Sequence, residues 1–294
     1  MTLPALKILL LGHSGQVSRE LQRVLPAMAQ LHTWGRHQLD LSQPAGIAAR
    51  VRDLQPDLII NAAAYTAVEQ AEDEQALAMA INAQAPGVLA QVAAELDIPL
   101  IHYSTDYVFD GRKATPYRED DPTHPTSAYA KSKDDGEKAI RQAGGQYLIL
   151  RTSWVYSLHG SNFLLSMQRL LQEREQLTVV DDQIGAPTWA GTVATVTRQL
   201  IEHWQQGEAG PWGTYHLTAR GETSWFGFAE EIGRRLKADG KPCAELQPIA
   251  TRDYPSRVER PLNSRLDCSR LQNQWQISLP QWRDALQQCL ATPT

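Results

Sequence analysis

The sequence predicts an α/β fold: a Rossmann-type doubly wound parallel sheet followed by a smaller C-terminal lobe. Three observations lead there. Short apolar runs alternate with amphipathic stretches through the first half, the pattern of βαβ units. The first apolar run ends at a glycine turn that opens a helix. Beyond about residue 155 the alternation loses its regularity, and Trp, Pro and Arg become frequent from residue 205 onward.

Lys7 to Leu11 is a continuous apolar run ending at Gly12 and reads as a buried first strand, with Gln16 to Leu25 as the helix after it. Leu31 to Trp34 is the second strand and Ala45 to Leu54 the next helix. Asp57 to Asn61 is the third strand. Ala71 to Leu96 has helical composition, and Pro86 should break or restart it because proline lacks the N–H that a helix interior needs. Leu100 to Ser104 is the fourth strand, Tyr129 to Ala143 a helix, and Gln146 to Arg151 the fifth strand. Later, Leu177 to Val180 and Thr214 to Leu217 read as short strands. Ser224 to Ala238 reads as a helix with Gly240 as its stop signal. We divide the chain near residue 155 into a cofactor domain (1–155) and a smaller substrate-binding lobe (156–294), with possible crossovers between them.

Bulk properties narrow the function classes. The formal charge of -5 comes with no basic stripe, which argues against a nucleic-acid partner. Cys243, Cys268 and Cys289 form no C-x-x-C motif, so a zinc site or disulfide framework is not expected; three free thiols suit a reducing compartment. The start, Met-Thr-Leu-Pro-Ala-Leu-Lys-Ile, lacks the features of a signal peptide, and no uncharged apolar stretch approaches membrane-spanning length. The expectation is a cytoplasmic protein with no membrane partner.

Gly12-His-Ser-Gly15-Gln-Val-Ser18 stands where the first strand meets the first helix. Gly12 allows a tight turn, and Gly15 lets the backbone approach a pyrophosphate lying on the helix start. Ser18 replaces the third glycine of such turns and is small enough for close packing. A plain strand–helix turn is the alternative. After the second strand the sequence reads Trp34-Gly35-Arg36-His37, with no acid to hold a ribose 2′-hydroxyl. Arg36 can instead pair with a 2′-phosphate, which favours NADPH with NADH still possible; otherwise it is a solvated loop charge.

Ser127-Ala-Tyr129-Ala-Lys131-Ser-Lys133 opens a helix, and residues four apart share a face, so Tyr129 and Lys133 point the same way while Lys131 faces elsewhere. A nearby ammonium lowers the pKa of a phenol, which aids proton transfer to a carbonyl oxygen. The alternative is an exposed helix turn. Thr105 ends the fourth strand, at the edge where open α/β sheets bind ligands, and can donate a hydrogen bond to the same oxygen.

With these stretches the chain resembles the extended short-chain dehydrogenases/reductases and, within them, is similar to the dTDP-4-dehydrorhamnose reductases. The resemblance runs nearly end to end, through Gly12 to Val17, Asn61 to Val68, His102 to Phe109, the Tyr129/Lys133 helix, Arg151 to Tyr156, Asp182 to Thr188 and Arg260 to Arg265. It implies NADPH-dependent reduction of a dTDP-linked 4-keto sugar with Tyr129, Lys133 and Thr105 as the catalytic set. It further implies that Gly15, Gln16 and Val17 hold the pyrophosphate, that Asp40 and Leu41 lie beside the adenine, and that Ala63, Ala64, Tyr65, Thr66 and Tyr103 line the cofactor. Lys133 would also hold the nicotinamide ribose. Thr105, Asp106, Tyr129 and Trp154 would contact the nucleotide sugar, although core packing is the commoner fate of a tryptophan.

Departures occur on the substrate side: Glu69-Gln70 stand where Asp-Lys is common, and Val258-Glu259 precede Arg260 where small and basic residues are usual. A dehydratase or epimerase of the same superfamily is an alternative, but dehydratases carry Thr-Asp-Glu where this chain has Thr105-Asp106-Tyr107. A non-catalytic NADP-binding regulatory subunit is another. Some members of the family are dimers bridged by magnesium through glutamates. Glu20 matches one such position, but Gly191 and Thr292 stand at the others, so no metal and a monomer are expected.

Overall fold

The computed structural model describes residues 6–292; the Met1–Ala5 stretch read above for a leader lies outside them. One parallel sheet organises the molecule. Its strands are β1 (Leu6–Leu11), β2 (Ala29–Trp34), β3 (Leu58–Asn61), β4 (Leu100–Thr105), β5 (Tyr147–Thr152) and the late strand Gly213–His216. From one edge the order is Gly213–His216, β5, β4, β3, β1, β2, so the winding reverses between β1 and β3. In open α/β sheets that reversal is where ligands bind, outside the carboxyl ends of the strands.

Both faces of the sheet are covered, which is why its strands read as apolar runs rather than as alternations. On one side Ile8, Leu10 and Leu150 pack with Leu21 of α1 (Gln16–Val24) and with Val193, Val196 and Leu200 of the helix Ala190–Gln205. On the other, Leu9, Ile59 and Ile149 pack with Val51 of α2 (Ile47–Leu54), Leu89 and Ile140. A separate core beyond the strand ends gathers Tyr156, Leu164, Trp189, Phe228 and Trp282. The helix Ala190–Gln205 and the strand Gly213–His216 follow residue 155 in sequence yet belong to the sheet layers. We therefore propose that these two segments count with the first lobe in any division of the chain.

Pro86 does not end its helix. Gln75–Met79 and Ala85–Glu95 are α-helical, and Ala80–Gln84 between them is a π-helical turn. The wider turn puts Pro86 at the start of the following α segment, where its missing N–H costs little. Gly136, on the neighbouring helix Ala128–Ala143, lies so close to the Asn82 carbonyl that a Cβ there would collide with it. By length and composition the run Gln75–Glu95 is long and apolar enough to cross a membrane, contrary to the expectation from sequence. In the structure 56% of its most apolar 18-residue window is buried, within the layer between the sheet and solvent.

Candidate active site

A cleft of about 1080 Å³ opens along the carboxyl ends of β1 to β5. At one end Gly12, with φ +99°, makes the turn out of β1 and donates its N–H to the Trp34 carbonyl at 2.9 Å. A Cβ on Gly12 would sit 3.2 Å from the Ala62 carbonyl group, so the turn accepts only glycine without strain. Ser18 is fully buried and its hydroxyl donates to the Gly12 carbonyl, locking the turn that a third glycine would otherwise serve. Gly15 caps α1 without a side chain, and the first helical turn holds no acid. The free N–H groups and positive end of the helix dipole there form an anion site, which is what a pyrophosphate requires.

Gly12, Gly15, Gln16, Val17, Arg36, Asp40, Leu41, Ala63, Ala64, Thr66, Tyr103, Thr105, Asp106, Tyr129, Lys133 and Trp154 all line this one cleft. Tyr65 does not; its hydroxyl donates to Glu74 at 2.8 Å, and its backbone N–H donates to Asn82. Tyr103 lines the cleft, while its hydroxyl pairs with Thr197 of the helix Ala190–Gln205 at 2.7 Å. Arg36 is a mouth residue with its side chain 75% exposed, and its Nε lies 3.4 Å from Asp40. The Asp40 carboxyl is held below its usual range by hydrogen bonds from Ser42 and, more weakly, by Arg36.

The Tyr129 turn is not an exposed helix turn. Ser127 caps the helix by accepting from the Ala130 N–H, and Tyr129 and Lys133 are both buried. Burial pushes the Tyr129 phenol well above its ordinary pKa, with the Thr105 hydroxyl working the other way. The expected lowering by Lys133 is not what this structure has. The lysine head group is turned down against β4, where Nζ donates to the Tyr103 carbonyl at 2.7 Å and meets His102 Nε2 at 3.1 Å. Burial lowers Lys133 to about 8, and the Glu137 carboxylate one turn on opposes that shift.

Sequence reasoning missed His102, Glu137 and Arg151, which support the site from behind. Arg151 on β5 donates to both Glu137 oxygens, at 2.9 and 2.6 Å, with both side chains almost fully buried. Ser104 and Arg141 also donate to Glu137. Burial alone would raise this carboxyl, but Arg151 and the hydrogen bonds from Ser104 and Arg141 together hold it below the usual range. The spacing from Lys133 to Glu137, one helical turn on the same face, was the available signal. Thr152 and Ser153 were missed as well. Their hydroxyls, with Asp106 Oδ2 and Gln16 Oε1, are buried in the cleft wall without a hydrogen-bond partner. Orphans of this kind mark a surface built to meet a polar ligand. Burial raises Asp106 to about 6, although the neighbouring Ser264 and Thr105 hydroxyls oppose it.

Trp154 follows β5 with φ +49° and stacks on Trp225, ring centroids 3.6 Å apart and planes 11° apart. A Cβ on Gly185 would collide with the same indole. Trp154 is therefore both packed and exposed to the cleft. On the substrate side Glu69 pairs with Arg260 at 3.3 Å and Glu259 with Arg112 at 3.4 Å, while Val258 is buried. Glu20 lies on α1 paired with Arg23, and Gly191 packs under the Trp189 ring. Among the described residues, no three His, Cys, Asp or Glu side chains gather as a metal site.

Comparison with known proteins adds the following. The family model described as RmlD substrate binding domain matches residues 6–294. A dTDP-4-dehydrorhamnose reductase of Burkholderia thailandensis is 44% identical over 292 residues, covering 97% of this chain and 98% of that protein. One from Escherichia coli K12 is 40% identical over 291 residues, covering 97% of each. Among solved structures, a Clostridium acetobutylicum dTDP-4-dehydrorhamnose reductase matches with a TM-score of 0.90 at 32% identity, covering 97% of this chain and 98% of that one. One from Bacillus anthracis, in complex with NADP, matches with a TM-score of 0.89 at 31% identity, covering 97% and 99%.

Proposed function

We propose, because the chain belongs to the dTDP-4-dehydrorhamnose reductase family, that it reduces dTDP-4-dehydro-L-rhamnose to dTDP-L-rhamnose with NADPH. The observation that carries the reading is one cleft that holds an uncapped helix start at one end and Thr105, Tyr129 and Lys133 at the other. Gly12, Gly15, Gln16 and Val17 would hold the cofactor pyrophosphate, with Asp40 and Leu41 toward the adenine and Ala63 to Thr66 and Tyr103 along the rest. Bound NADPH supplies a hydride for the sugar C4. Tyr129 delivers a proton to O4, and Thr105 donates a hydrogen bond to the same oxygen. The raised pKa of the phenol suits a proton donor, since Tyr129 keeps its proton until the much more basic alkoxide develops. Lys133 balances the phenolate left behind and holds the ribose. Asp106 and Trp154 contact the nucleotide sugar, and the orphaned Thr152 and Ser153 hydroxyls suit its hydroxyl groups.

Loss of NADPH absorbance on adding the dTDP-linked 4-keto sugar tests the reading; an enzyme that consumes no NADPH would overturn it. Proton and hydride both have donors without a metal, so we expect turnover unchanged by EDTA and sedimentation as a monomer with or without it. A dimer dissociated by the chelator would refute that part. The three thiols are unpaired, in keeping with a reducing cytoplasm, where we assign the reaction.

NADPH should be preferred through Arg36. Arg36→Ala is expected to raise the KM for NADPH roughly tenfold, about 1.5 kcal/mol, the low end for a charge-assisted contact because the side chain is so exposed. The KM for NADH should barely move. Equal changes for both cofactors would show that Arg36 is a solvated surface charge.

A further inference from the structure

A continuous hydrogen-bonded line runs behind the cleft from β3 to the Tyr129 helix, and the proposed reaction does not by itself use its middle members. The Ala63 N–H donates to Asn61 Oδ1 at 3.2 Å. Asn61 Nδ2 lies 3.1 Å from His102 Nδ1, and His102 Nε2 lies 3.1 Å from Lys133 Nζ. Asn61, His102 and Lys133 are each no more than 2% exposed.

The backbone N–H of Ala63 fixes which way the Asn61 amide faces, since only its oxygen can accept there. Asn61 therefore offers an N–H to His102 Nδ1, which must accept. A neutral imidazole whose Nδ1 accepts carries its hydrogen on Nε2. That hydrogen points at Lys133. An amine in that position accepts it and still donates to the Tyr103 carbonyl, so every group is satisfied. An ammonium meets it donor to donor.

We propose that His102 is a positioning residue for Lys133: held in one tautomer by Asn61, it presents its Nε2–H to the lysine nitrogen and makes Lys133 a proton exchanger rather than a fixed cation. The inference rests on the reductase reading above. After Tyr129 has given its proton to the sugar oxygen, the phenolate is reprotonated through water in the cleft by the Lys133 ammonium, whose Nζ lies against β4 rather than on the phenol. The lysine is left as an amine that His102 hydrogen-bonds, and it regains its proton from solvent between turnovers.

The other groups around Lys133 leave this balance to His102. On its own helix stand Tyr129 and Glu137, and the charge of Glu137 is matched by Arg151 from β5 and by Arg141. From β4 come His102, the Tyr103 carbonyl and Ser104, whose hydroxyl is committed to Glu137. From the π-helical turn, the Asn82 amide bonds the neutral Ser132 hydroxyl. His102 itself is held neutral by burial and then by the charge of Lys133.

Two measurements test the proposal. The first needs no substrate. Nitrogen-15 NMR of histidine-labelled protein at pH 7, with the His102→Phe variant to assign the signal, should show the hydrogen on Nε2 and a bare Nδ1. A hydrogen on Nδ1 would overturn the proposal whatever the protein reduces. The second is the pH profile of NADPH turnover. His102→Phe removes the opposing N–H, so Lys133 should keep its proton longer and the alkaline limb of kcat should move up by about one unit. At the pH where the wild type has lost nine-tenths of its rate, the variant should then retain about half of its own maximum. An unmoved limb would reduce His102 to packing, and a limb moved down would mean that it accepts from the ammonium; both contradict the proposal. A variant that does not fold leaves the NMR assignment to His102→Gln and the tautomer as the deciding result. If no 4-keto sugar is turned over, the reductase reading fails while the tautomer result still stands.

Discussion

Tyr129→Phe should lower kcat by roughly 10²–10⁴-fold, the usual worth of a positioned general acid. The substitution removes one hydroxyl and nothing else. The ring keeps its edge-to-face contact with Tyr107, centroids 5.6 Å apart, and its place among Ala71 and Ala78. The Ser127 cap and the Lys133 contacts to β4 do not involve the phenol. Substrate KM and melting temperature should therefore stay close to wild type, because the lost interaction acts only as charge develops on the sugar oxygen. A variant that keeps a third of its turnover would remove Tyr129 from the role of proton donor.

The largest effect on stability is expected at Arg151. With Arg151→Met the Glu137 carboxylate remains in the interior with its principal partner gone, and breaking a buried pair in this way costs about 3–5 kcal/mol. Arg151 also lies over the Phe109 ring at 5.0 Å, a contact that methionine only partly replaces. The double variant Arg151→Met with Glu137→Gln should recover much of the loss, since the unpaired charge goes with it. Urea unfolding of both variants makes the comparison. A single variant within about 1 kcal/mol of wild type would show that Arg141 and Ser104 alone can satisfy Glu137.

The two variants divide along a line that also divides what the sequence made legible. Gly12, Gly15, Thr105, Tyr129 and Lys133 announce themselves because each must have one chemistry at one place in a strand–turn–helix pattern. Arg151, Glu137 and His102 do not, because an Arg at the end of an apolar run or a Glu in a polar helix reads as surface until tertiary packing encloses it. The elements follow a similar rule. The first five strands could be read from their apolar runs to within two residues at each end. The helix Ala190–Gln205 could not: its first half is rich in Thr and Val, its N-cap Trp189 contributes no side-chain bond, and burial narrows its polar face to a stripe of Thr195, Arg198, Glu202 and Gln205. The helix Phe163–Glu173 carried a signal that went unread. Asn162 caps it, and Leu164, Met167 and Leu171 repeat at helical spacing. Pro86 marked the restart of an α segment, but nothing in the sequence announced the π-helical turn upstream that joins it to the previous one.

The late strand Gly213–His216 also bears on how the chain comes to be folded. Until it docks, β5 is an open edge, paired with β4 on one flank and with its backbone groups unpaired along the other. A nascent chain emerging from a ribosome must carry that edge through some sixty further residues, from Thr152 to Gly213, before the sheet closes. Unsheltered edges of this kind recruit strands from other molecules, and pairings between distant parts of a chain form slowly. The sheet is thus still one strand short when its first five strands have been made. The sheet is completed only when Gly213–His216 has been made, which ties assembly of the nucleotide site to synthesis of about three-quarters of the polypeptide.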